Sequence, residues 1–279
     1  MNTPETIGII AGRGQFPALT ARAAKAKGLR VVVAGFKGFT DPGLASEADQ
    51  FKMLRLGRLN QLFRYLRKAG AVQVCMAGAI NKPKALSLRP DLRALRLLSR
   101  MRGKGDDALL RALVDELESE GFQVIQAADL AADLVPDLRG PKGVLSSRKP
   151  SPEEWDDLRL GWRIAKAVGG LDIGQCVVLK RGVVSAVESI EGTDAAVKRG
   201  GELAGPGAVA VKVCKPGQEE RVDLPSLGPT TIQSLKSVQG ACLGFEADKT
   251  LFFDLEQSLG IADAAGICVI GLTAEDAEP

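Results

Sequence analysis

The chain has 279 residues, of which 45% are hydrophobic and 25% are charged, proportions typical of a soluble globular protein large enough for two domains. It contains no histidine. A Ser–His–Asp hydrolase and a metal centre with histidine ligands are therefore excluded. Carboxylate chemistry stays open, either to hold a hard cation such as Mg²⁺ or to position a water molecule against an anion.

The longest apolar runs have the length of strands, and the N-terminus lacks the basic stretch and apolar core of a signal peptide. We therefore expect a cytoplasmic protein without a transmembrane helix. The five cysteines form no CxxC motif, and they stand at positions 75, 176, 214, 242 and 268. This scatter, mostly inside apolar runs, predicts small buried residues in a reducing compartment rather than disulfides or zinc ligands.

Charge is divided unevenly along the chain, although the net charge is only +3. Residues 1–139 contain 22 Lys and Arg against 14 Asp and Glu, whereas residues 140–279 contain 15 against 20. Residues 50–104 alone contain 14 basic residues and one acidic residue. A basic half and an acidic half suggest two lobes around an anionic ligand.

The first half alternates strands and helices in the order expected of a parallel sheet. Buried strands are predicted at 6–12, 29–36, 71–80 and 122–127, and helices at 18–28, 59–68, 90–101 and 106–120. This alternation predicts a doubly wound, Rossmann-like α/β domain over residues 1–136.

A stretch rich in Pro, Gly and Ser at 135–154 predicts an interdomain linker, which we place at 137–150. Ser151 and Pro152 then predict a helix start, because Ser is a favoured N-cap and Pro a favoured first helical residue. After this helix (152–168), strands are predicted at 176–189, 208–214, 250–254 and 267–272, and helices at 230–237 and 255–259. The C-terminal domain, 151–279, is therefore predicted to be mixed α/β with antiparallel parts.

Two glycine turns follow predicted strands. Gly12, Gly14 and Gln15 open a helix in a pattern similar to a dinucleotide fingerprint, in which backbone amides approach a phosphate. Pro17 stands in place of the third glycine and no acidic residue ends the second strand, which argues against NAD. Gly78 and Asn81, the latter followed by Lys82, end another strand. Both turns are interpreted either as ligand-contacting loops or as ordinary structural turns.

The predicted helix at 90–101 combines a basic stripe with leucines. Arg89, Arg93, Arg96 and Arg100 share one stripe, with Leu88, Leu92 and Leu95 beside it. Such a stripe suits an anionic lipid or a membrane surface, whereas a solvated helix face packed on a core is the alternative. Nucleic acid is not expected, because few aromatic residues interleave with the basic run.

Charged residues cluster again between 188 and 223. The carboxylates are Glu188, Glu191, Asp194 and Asp223, and the cations are Lys212, Lys215 and Arg221. Thr193 adds a hydroxyl group and Gln218 an amide in the same segments. The cluster is interpreted as a phosphate or metal site, and surface salt bridges are the alternative. Asp194 has the further alternative of capping the next helix.

Two stretches, 171–194 and 211–232, resemble the LpxI-type UDP-2,3-diacylglucosamine pyrophosphatase family of Gram-negative bacteria. The segments IGIIAGRGQFP, GDDALLRAL and EGFQVI also fit, so the likeness covers nearly the whole chain. The resemblance implies a step of lipid A synthesis, hydrolysis of UDP-2,3-diacylglucosamine to UMP and 2,3-diacylglucosamine 1-phosphate (lipid X). It also implies Mg²⁺, with Mn²⁺ as a substitute, and water attack at the β-phosphorus.

The resemblance implies roles for particular residues. The essential Asp of the family's R-x-D-x-P motif falls on Asp223, which would hold the metal ion or orient the water. Glu191 and Asp194 would be its partners in metal binding. The expected substrate-binding residues are Gly12, Gly14, Gln15, Gly78, Asn81, Thr193, Lys212, Lys215, Gln218 and Arg221.

Two departures from the family pattern stand out. Glu219 replaces the usual Asp after Gln218, and Ala79 stands at a usually basic position, while Lys82 is a conservative replacement at the other. The resemblance further implies two α/β domains with the substrate and lipid X in the cleft between them. Peripheral contact with the cytoplasmic face of the inner membrane is a further possibility, which the basic stripe at 89–100 suggests. The oligomeric state stays open, with a homodimer among the alternatives. A lipid- or nucleotide-sugar-binding protein without catalysis is the alternative function.

Overall fold

The computed structural model describes residues 4–80, 90–100, 106–133, 135 and 137–278. The chain divides into two compact units. Unit 1 comprises Met1–Pro136 together with Glu219–Asp223, and unit 2 comprises Asp137–Gln218 together with Leu224–Pro279. A short segment of the C-terminal half therefore belongs to the N-terminal unit, whereas the sequence placed it in the second domain.

Unit 1 is built on a parallel sheet. Its described strands are β1 (Thr6–Ala11), β2 (Arg30–Phe36), β3 (Gln50–Leu54), β4 (Gln73–Ala77) and β5 (Gln123–Val124), in the order β3-β2-β1-β4-β5. Its described helices are α1 (Phe16–Ala26), a 3₁₀ helix (Pro42–Glu47), α2 (Leu59–Lys68), α3 (Leu92–Arg100), α4 (Asp106–Ser119) and α5 (Ala127–Ala131). The predicted Rossmann-like, doubly wound class is confirmed.

The order of these strands creates a switch point beside β1. The chain proceeds from β1 to β2 and β3 on one side and then returns to β4 on the other side. The loops after β1 and β4 therefore leave the sheet in neighbouring positions, which is where open α/β sheets commonly bind ligands. Both loops contain the glycines that the sequence singled out.

Unit 2 has a mixed sheet, as predicted. Its described strands are β6 (Gly143–Val144), β7 (Cys176–Lys180), β8 (Val183–Val187), β9 (Val209–Lys212), β10 (Ser226–Leu227), β11 (Cys242–Glu246), β12 (Leu251–Phe252) and β13 (Cys268–Leu272). The larger sheet has the order β6-β13-β11-β9-β7-β8, and β10 pairs with β12 separately. The described helices are α6 (Pro152–Gly170), α7 (Thr193–Ala204), α8 (Pro229–Ser237), α9 (Leu255–Ala264) and α10 (Ala274–Ala277). Strands β9, β11 and β13 are parallel, whereas β6 and β7 run antiparallel to their neighbours.

The predicted linker at 137–150 lies within unit 2 in the structure. Its residues Gly143 and Val144 form the edge strand β6 against β13, and the side chain of Leu138 is buried. The carboxylate of Asp263 accepts hydrogen bonds from Ser147 N and Oγ at 2.7 and 2.9 Å. A strand of two residues is too short to produce an alternating hydrophobic pattern. The content of Pro, Gly and Ser is therefore the remaining signal, and it predicts a linker.

The helix start at Ser151 is confirmed, with a complete capping box in which Glu154 is the reciprocal partner. The strand predicted at 176–189 is instead the hairpin of β7 and β8. Arg181 and Gly182 form its turn with φ of 49° and 76°, and Asp157 accepts both of their backbone N–H groups. Positive φ at both central residues is the geometry that fits the twist of a two-residue hairpin.

Candidate active site

The two glycine loops of unit 1 pack directly against each other. Gly12 N donates to Ala77 O at 2.7 Å, and Arg13 N donates to Ala79 O at 2.8 Å. A Cβ atom at Gly12 would meet the carbonyl oxygens of Gly78 and Ala79 closer than 3.0 Å. Gly78 has a φ of +85°, and a Cβ atom there would strike Arg13 O. Close backbone approach between the loops therefore accounts for both glycines without a ligand.

Gly14 differs from these two glycines. Its φ of +88° requires the left-handed region, but a Cβ atom there would meet nothing within 4 Å. Gln15 occupies the N-cap of α1 without a side-chain capping bond. This open turn is the part of the loop where a ligand has room, and Asn81 of the second loop lies outside the described residues.

A buried polar network lies at one edge of the unit 2 sheet. Strands β8 and β9 run in the same direction, because both are antiparallel to β7. Glu188 follows β8, Thr193 begins α7, and Lys212 ends β9. Lys212 Nζ donates to Thr193 Oγ1 at 2.8 Å and to Ser226 O at 2.7 Å, and Thr193 Oγ1 donates to Glu188 Oε1 at 2.9 Å. Thr193 thus bridges a buried carboxylate and a buried ammonium group.

The burial of Lys212 limits the direct contact that its side chain can make with a ligand. The residue is 5% exposed, and its ammonium group already holds two elements of unit 2 together. The sequence predicted that Lys212 faces the diphosphate. In the structure its ammonium group is instead hydrogen-bonded to Thr193 at the sheet edge. A charge this deeply buried is retained only when it is hydrogen-bonded.

Two helices begin at this edge of unit 2. Asp194, in the first turn of α7, accepts a hydrogen bond from Thr231 Oγ1 of α8 at 2.7 Å. Gly192 and Gly228 are the two N-cap residues, and neither helix has a side-chain cap. Asp194 therefore joins two helix starts, where a negative charge is favoured by the helix dipole.

A second ion pair, between the buried Glu246 and the half-buried Lys166, holds the chain just beyond β9. Glu246 Oε2 accepts from Cys214 N at 2.8 Å and from Lys166 Nζ at 2.6 Å, and Lys166 Nζ also donates to Cys214 O at 2.9 Å. Both backbone groups of Cys214 are thereby held. Sequence reasoning missed Lys166 and Glu246, although a glutamate that ends the otherwise apolar strand β11 is a detectable signal.

The loop after Cys214 is closed by its own side chains. Gln218 Oε1 accepts from Lys215 N at 3.0 Å, and Gln218 is 7% exposed. Lys215 Nζ forms an ion pair with Asp172 at 2.6 Å. Gln218 therefore shapes the loop, and Lys215 is held by a carboxylate partner that a phosphate would have to replace.

The segment Glu219–Asp223 leaves this loop and belongs to unit 1. Val222 packs against the unit 1 core, and Gln126 Nε2 donates to Glu220 O at 2.6 Å. Arg221 Nη1 pairs with Glu118 at 2.7 Å. Asp223 N donates to Glu219 O at 3.0 Å, so the segment turns back on itself. The half-buried Asp223 is thus presented by unit 1, on a segment whose two flanks belong to unit 2.

Arg221 and Glu219 form a two-point ion pair. Arg221 Nε and Nη2 donate to the two oxygens of Glu219 at 2.7 and 3.0 Å. The hydrogen bond from Arg221 holds the pKa of Glu219 below its usual value, and the bond to Glu219 raises the pKa of Arg221. All three guanidinium nitrogens have carboxylate partners, so a phosphate at Arg221 must compete with Glu219 and Glu118.

The predicted metal ligands do not form a cluster within the described ranges. No group of three or more Asp, Glu or Cys side chains that could hold a metal ion occurs there. Glu191 Oε1 pairs with Arg199 at 2.6 Å, and this bond lowers the pKa of Glu191. Mg²⁺ commonly takes one or two protein carboxylates and completes its shell with water and substrate phosphate oxygens. The donors present fit that sparse kind of site, with Asp223 as the acid in the motif.

Solved structures with some likeness to this chain include biotin carboxylase from Campylobacter jejuni, with 12% identity, a TM-score of 0.28, and coverage of 72% of this chain and 42% of the other. Another is N5-carboxyaminoimidazole synthetase from Staphylococcus aureus, with 20% identity, a TM-score of 0.26, and coverage of 66% and 41%. The chain thus spans less than half of each of these proteins. Likeness at this level supports no statement about function.

Family models and a curated relative match far more of the chain. The model of the LpxI N-terminal domain matches residues 6–134, and that of the LpxI C-terminal domain matches residues 141–270. The UDP-2,3-diacylglucosamine pyrophosphatase LpxI of Caulobacter vibrioides is 35% identical over 97% of this chain and 98% of its own length. Both domains match in the order in which the two units are built, and the chain belongs to the LpxI family.

Proposed function

We propose that this protein is a UDP-2,3-diacylglucosamine pyrophosphatase. Water attacks the β-phosphorus, the bond between this phosphorus and the bridging oxygen breaks, and UMP departs with that oxygen. The other product is 2,3-diacylglucosamine 1-phosphate (lipid X). The observation that supports this proposal best is the 35% identity to the Caulobacter vibrioides pyrophosphatase over nearly the full length of both chains.

Asp223 is the proposed catalytic residue. It lies on a segment held by the Arg221–Glu219 pair, by Gln126 and by the packing of Val222. A carboxylate fixed in this way can orient a water molecule or a metal ion without reorganising during the reaction. Its negative charge opposes the binding of a diphosphate, so its contribution is expected in the transition state rather than in substrate binding.

Lys215 and Arg221 are the proposed diphosphate-binding cations. Each is paired with a carboxylate in the structure, Lys215 with Asp172 and Arg221 with Glu219 and Glu118. Pre-paired cations are held in position before the substrate arrives, which lowers the entropy cost of binding. Lys212 acts indirectly, through its hydrogen bond to Thr193.

Mg²⁺ is the proposed cofactor, with Mn²⁺ as a substitute. When bound, the ion supplies positive charge that stabilises the charge developing on the diphosphate. Asp223 is the proposed protein ligand. Asp194 and Glu191 stay predictions as further ligands, because each carboxylate already has a partner in unit 2, Thr231 and Arg199 respectively.

The cellular setting is part of the proposal. We place the enzyme in the cytoplasm, in peripheral contact with the inner membrane, because two acyl chains partition strongly into a bilayer. None of the described helices is long and apolar enough to cross a membrane. The interdomain position of the substrate and a homodimeric assembly stay predictions.

The proposal is tested with purified protein and UDP-2,3-diacylglucosamine in H₂¹⁸O. Attack at the β-phosphorus puts the label into lipid X and leaves UMP unlabelled, which mass spectrometry of both products measures. EDTA should abolish UMP release and Mg²⁺ should restore it, because a site of carboxylate oxygens prefers hard divalent ions. Label in UMP would exclude attack at the β-phosphorus, and the absence of both products would exclude the proposed reaction.

A further inference from the structure

Helix α3 presents a row of leucines to solvent. Its inner face buries Ala94 and Leu97, whereas Leu92, Leu95 and Leu98 are 73%, 48% and 38% exposed. Single exposed leucines are common, but three on one helix of nine residues form a patch. A patch of this kind normally contacts a lipid surface or another protein.

The same helix is strongly basic, and its arginines divide into two groups. Arg93 lies 4.6 Å above the ring of Phe63 and pairs with Glu116 of α4 and with Glu120, the residue after that helix, so it fixes α3 to unit 1. Arg96 and Arg100 are exposed and form no ion pair with any acidic residue in the described ranges. Neither α2 nor α3 contains an acidic residue. The outer face of α3 is therefore both apolar and positively charged.

A cavity of about 420 Å³ adjoins this face. It is lined by Asn60, Leu92, Arg93, Arg96, Arg100 and Glu116. Arg93 and Glu116 are paired with each other there, so the guanidinium groups of Arg96 and Arg100 are the ones that suit a phosphate-bearing headgroup. A guanidinium group can donate two hydrogen bonds at a time to phosphate oxygens.

We propose that the outer face of α3, comprising Leu92, Leu95, Arg96, Leu98 and Arg100, binds the surface of a bilayer that contains anionic phospholipids. The leucines enter the boundary between headgroups and acyl chains, and the arginines pair with lipid phosphates. A second copy of the chain fits this face poorly, because self-association would bring the unpaired arginines of two copies together. The physiological meaning of the contact rests on the proposed function, since a diacylated substrate resides in such a surface.

The test uses the full-length protein and sedimentation with vesicles of phosphatidylcholine, with or without phosphatidylglycerol. The wild type should bind the anionic vesicles, and about 1 M salt should release it, because screening then acts within a few ångströms. Arg96→Glu/Arg100→Glu and Leu92→Ser/Leu95→Ser should each lower the partition coefficient about tenfold or more. All of these side chains are exposed, so the melting temperature should stay near that of the wild type.

A control variant makes comparable changes, from a basic residue to Glu and from Leu to Ser, on a helix of unit 2. Lys198→Glu/Leu203→Ser alters an exposed lysine and an exposed leucine of α7 and should leave vesicle binding unchanged. Wild-type binding by the α3 variants would overturn the proposal. So would a change in sedimentation equilibrium of the free protein without a change in vesicle binding, which would identify α3 as a contact between copies.

The docking proposal and the proposed function fail in different ways. Vesicle binding is measured without substrate, and UMP release is measured with substrate dispersed in detergent. If vesicle binding depends on α3 but no UMP is released, the proposed reaction is wrong and the proposed docking surface stands. If UMP is released but the α3 variants bind vesicles like the wild type, the docking surface is wrong and the reaction stands.

Discussion

The two units close the carboxyl edges of their sheets in different ways. In unit 1 the loops after β1 and β4 are joined by backbone hydrogen bonds, and their glycines allow the close approach. In unit 2 the corresponding edge is held by charged side chains, with Lys212 linked through Thr193 to Glu188, and Glu246 linked to Lys166. Backbone hydrogen bonds thus stabilise this edge in unit 1, whereas hydrogen-bonded charged side chains stabilise it in unit 2.

This difference separates structural from chemical roles for similar motifs. A glycine turn at a switch point predicts a phosphate loop. Contact between the loops is a sufficient reason for Gly12 and Gly78, and a ligand at these loops stays a prediction. The charges of unit 2 are pre-organised around the chain that leads into Glu219–Asp223. Chemistry is therefore expected on the half-buried segment that this buried, paired charge supports. Substitutions should distinguish the two kinds of sheet edge.

The largest effect is expected for Glu246→Ala. The change leaves the ammonium group of Lys166 and the backbone N–H of Cys214 without their carboxylate partner, in a place where Glu246 is 8% exposed. Breaking a fully buried pair typically costs about 3–5 kcal/mol, and the lower end of that range is expected here because the Lys166 side chain is 27% exposed. A denaturant melt of the variant measures this cost. Glu202→Ala, at an exposed position of α7, should cost less than about 0.5 kcal/mol. Equal stability of the two variants would show that Glu246 does not stabilise the segment around Cys214.

Gly78→Ala should cost about 3 kcal/mol in the free energy of unfolding. Alanine at a φ of +85° costs about 1–2 kcal/mol, and overpacking against Arg13 O adds about 1–3 kcal/mol. Gly14→Ala is the matched control, because it has the same strain at a φ of +88° but open space around the new methyl group. Its cost should be limited to the strain. If the two variants have the same free energy of unfolding, close packing between the two loops is not the reason for a glycine at position 78.

Asp223→Ala tests the catalytic assignment. The turnover number should fall by a factor of about 10² or more, equivalent to about 2.7 kcal/mol of barrier, while substrate binding persists or tightens. Single-turnover kinetics and a melting curve of the variant measure the two quantities. Asp133→Ala removes an exposed carboxylate of unit 1 that pairs with Lys27, and it should leave turnover unchanged. A folded Asp223→Ala enzyme with wild-type turnover would contradict the assignment.

The smallest effect is expected for the pair of Glu219 and Arg221 as the pH falls. Arg221 holds the pKa of Glu219 below the ordinary value of 4.5, so the pair stabilises the fold above about pH 4.5. That stability is lost as the pH falls through the lower, folded-state pKa. Glu219→Gln should therefore cost less than about 1 kcal/mol at pH 7, since Arg221 is 41% exposed, and nothing at strongly acid pH. A cost that is independent of pH would show that the charge of Glu219 is not involved.

Much of the local structure follows from neighbouring residues. The buried strands β1 and β2 are continuous apolar runs, and the helix start at Ser151 follows from its capping box with Glu154. The family motif around Asp223 also lies within a few adjacent residues, so the resemblance is visible without a structure. These features depend on local propensity and hydrophobic pattern, which the order of residues determines directly.

The tertiary structure alone decided where the charged residues act. It assigned Glu219–Asp223 to unit 1, buried Lys212 behind Thr193, and paired Glu246 with Lys166 across 80 positions of the chain. Sequence separation says nothing about which charges meet, because ion pairs form between side chains that the packing of distant elements brings together. The sequence therefore determined the local elements and the motif that contains Asp223, whereas the fold determined which charged side chains pair with one another.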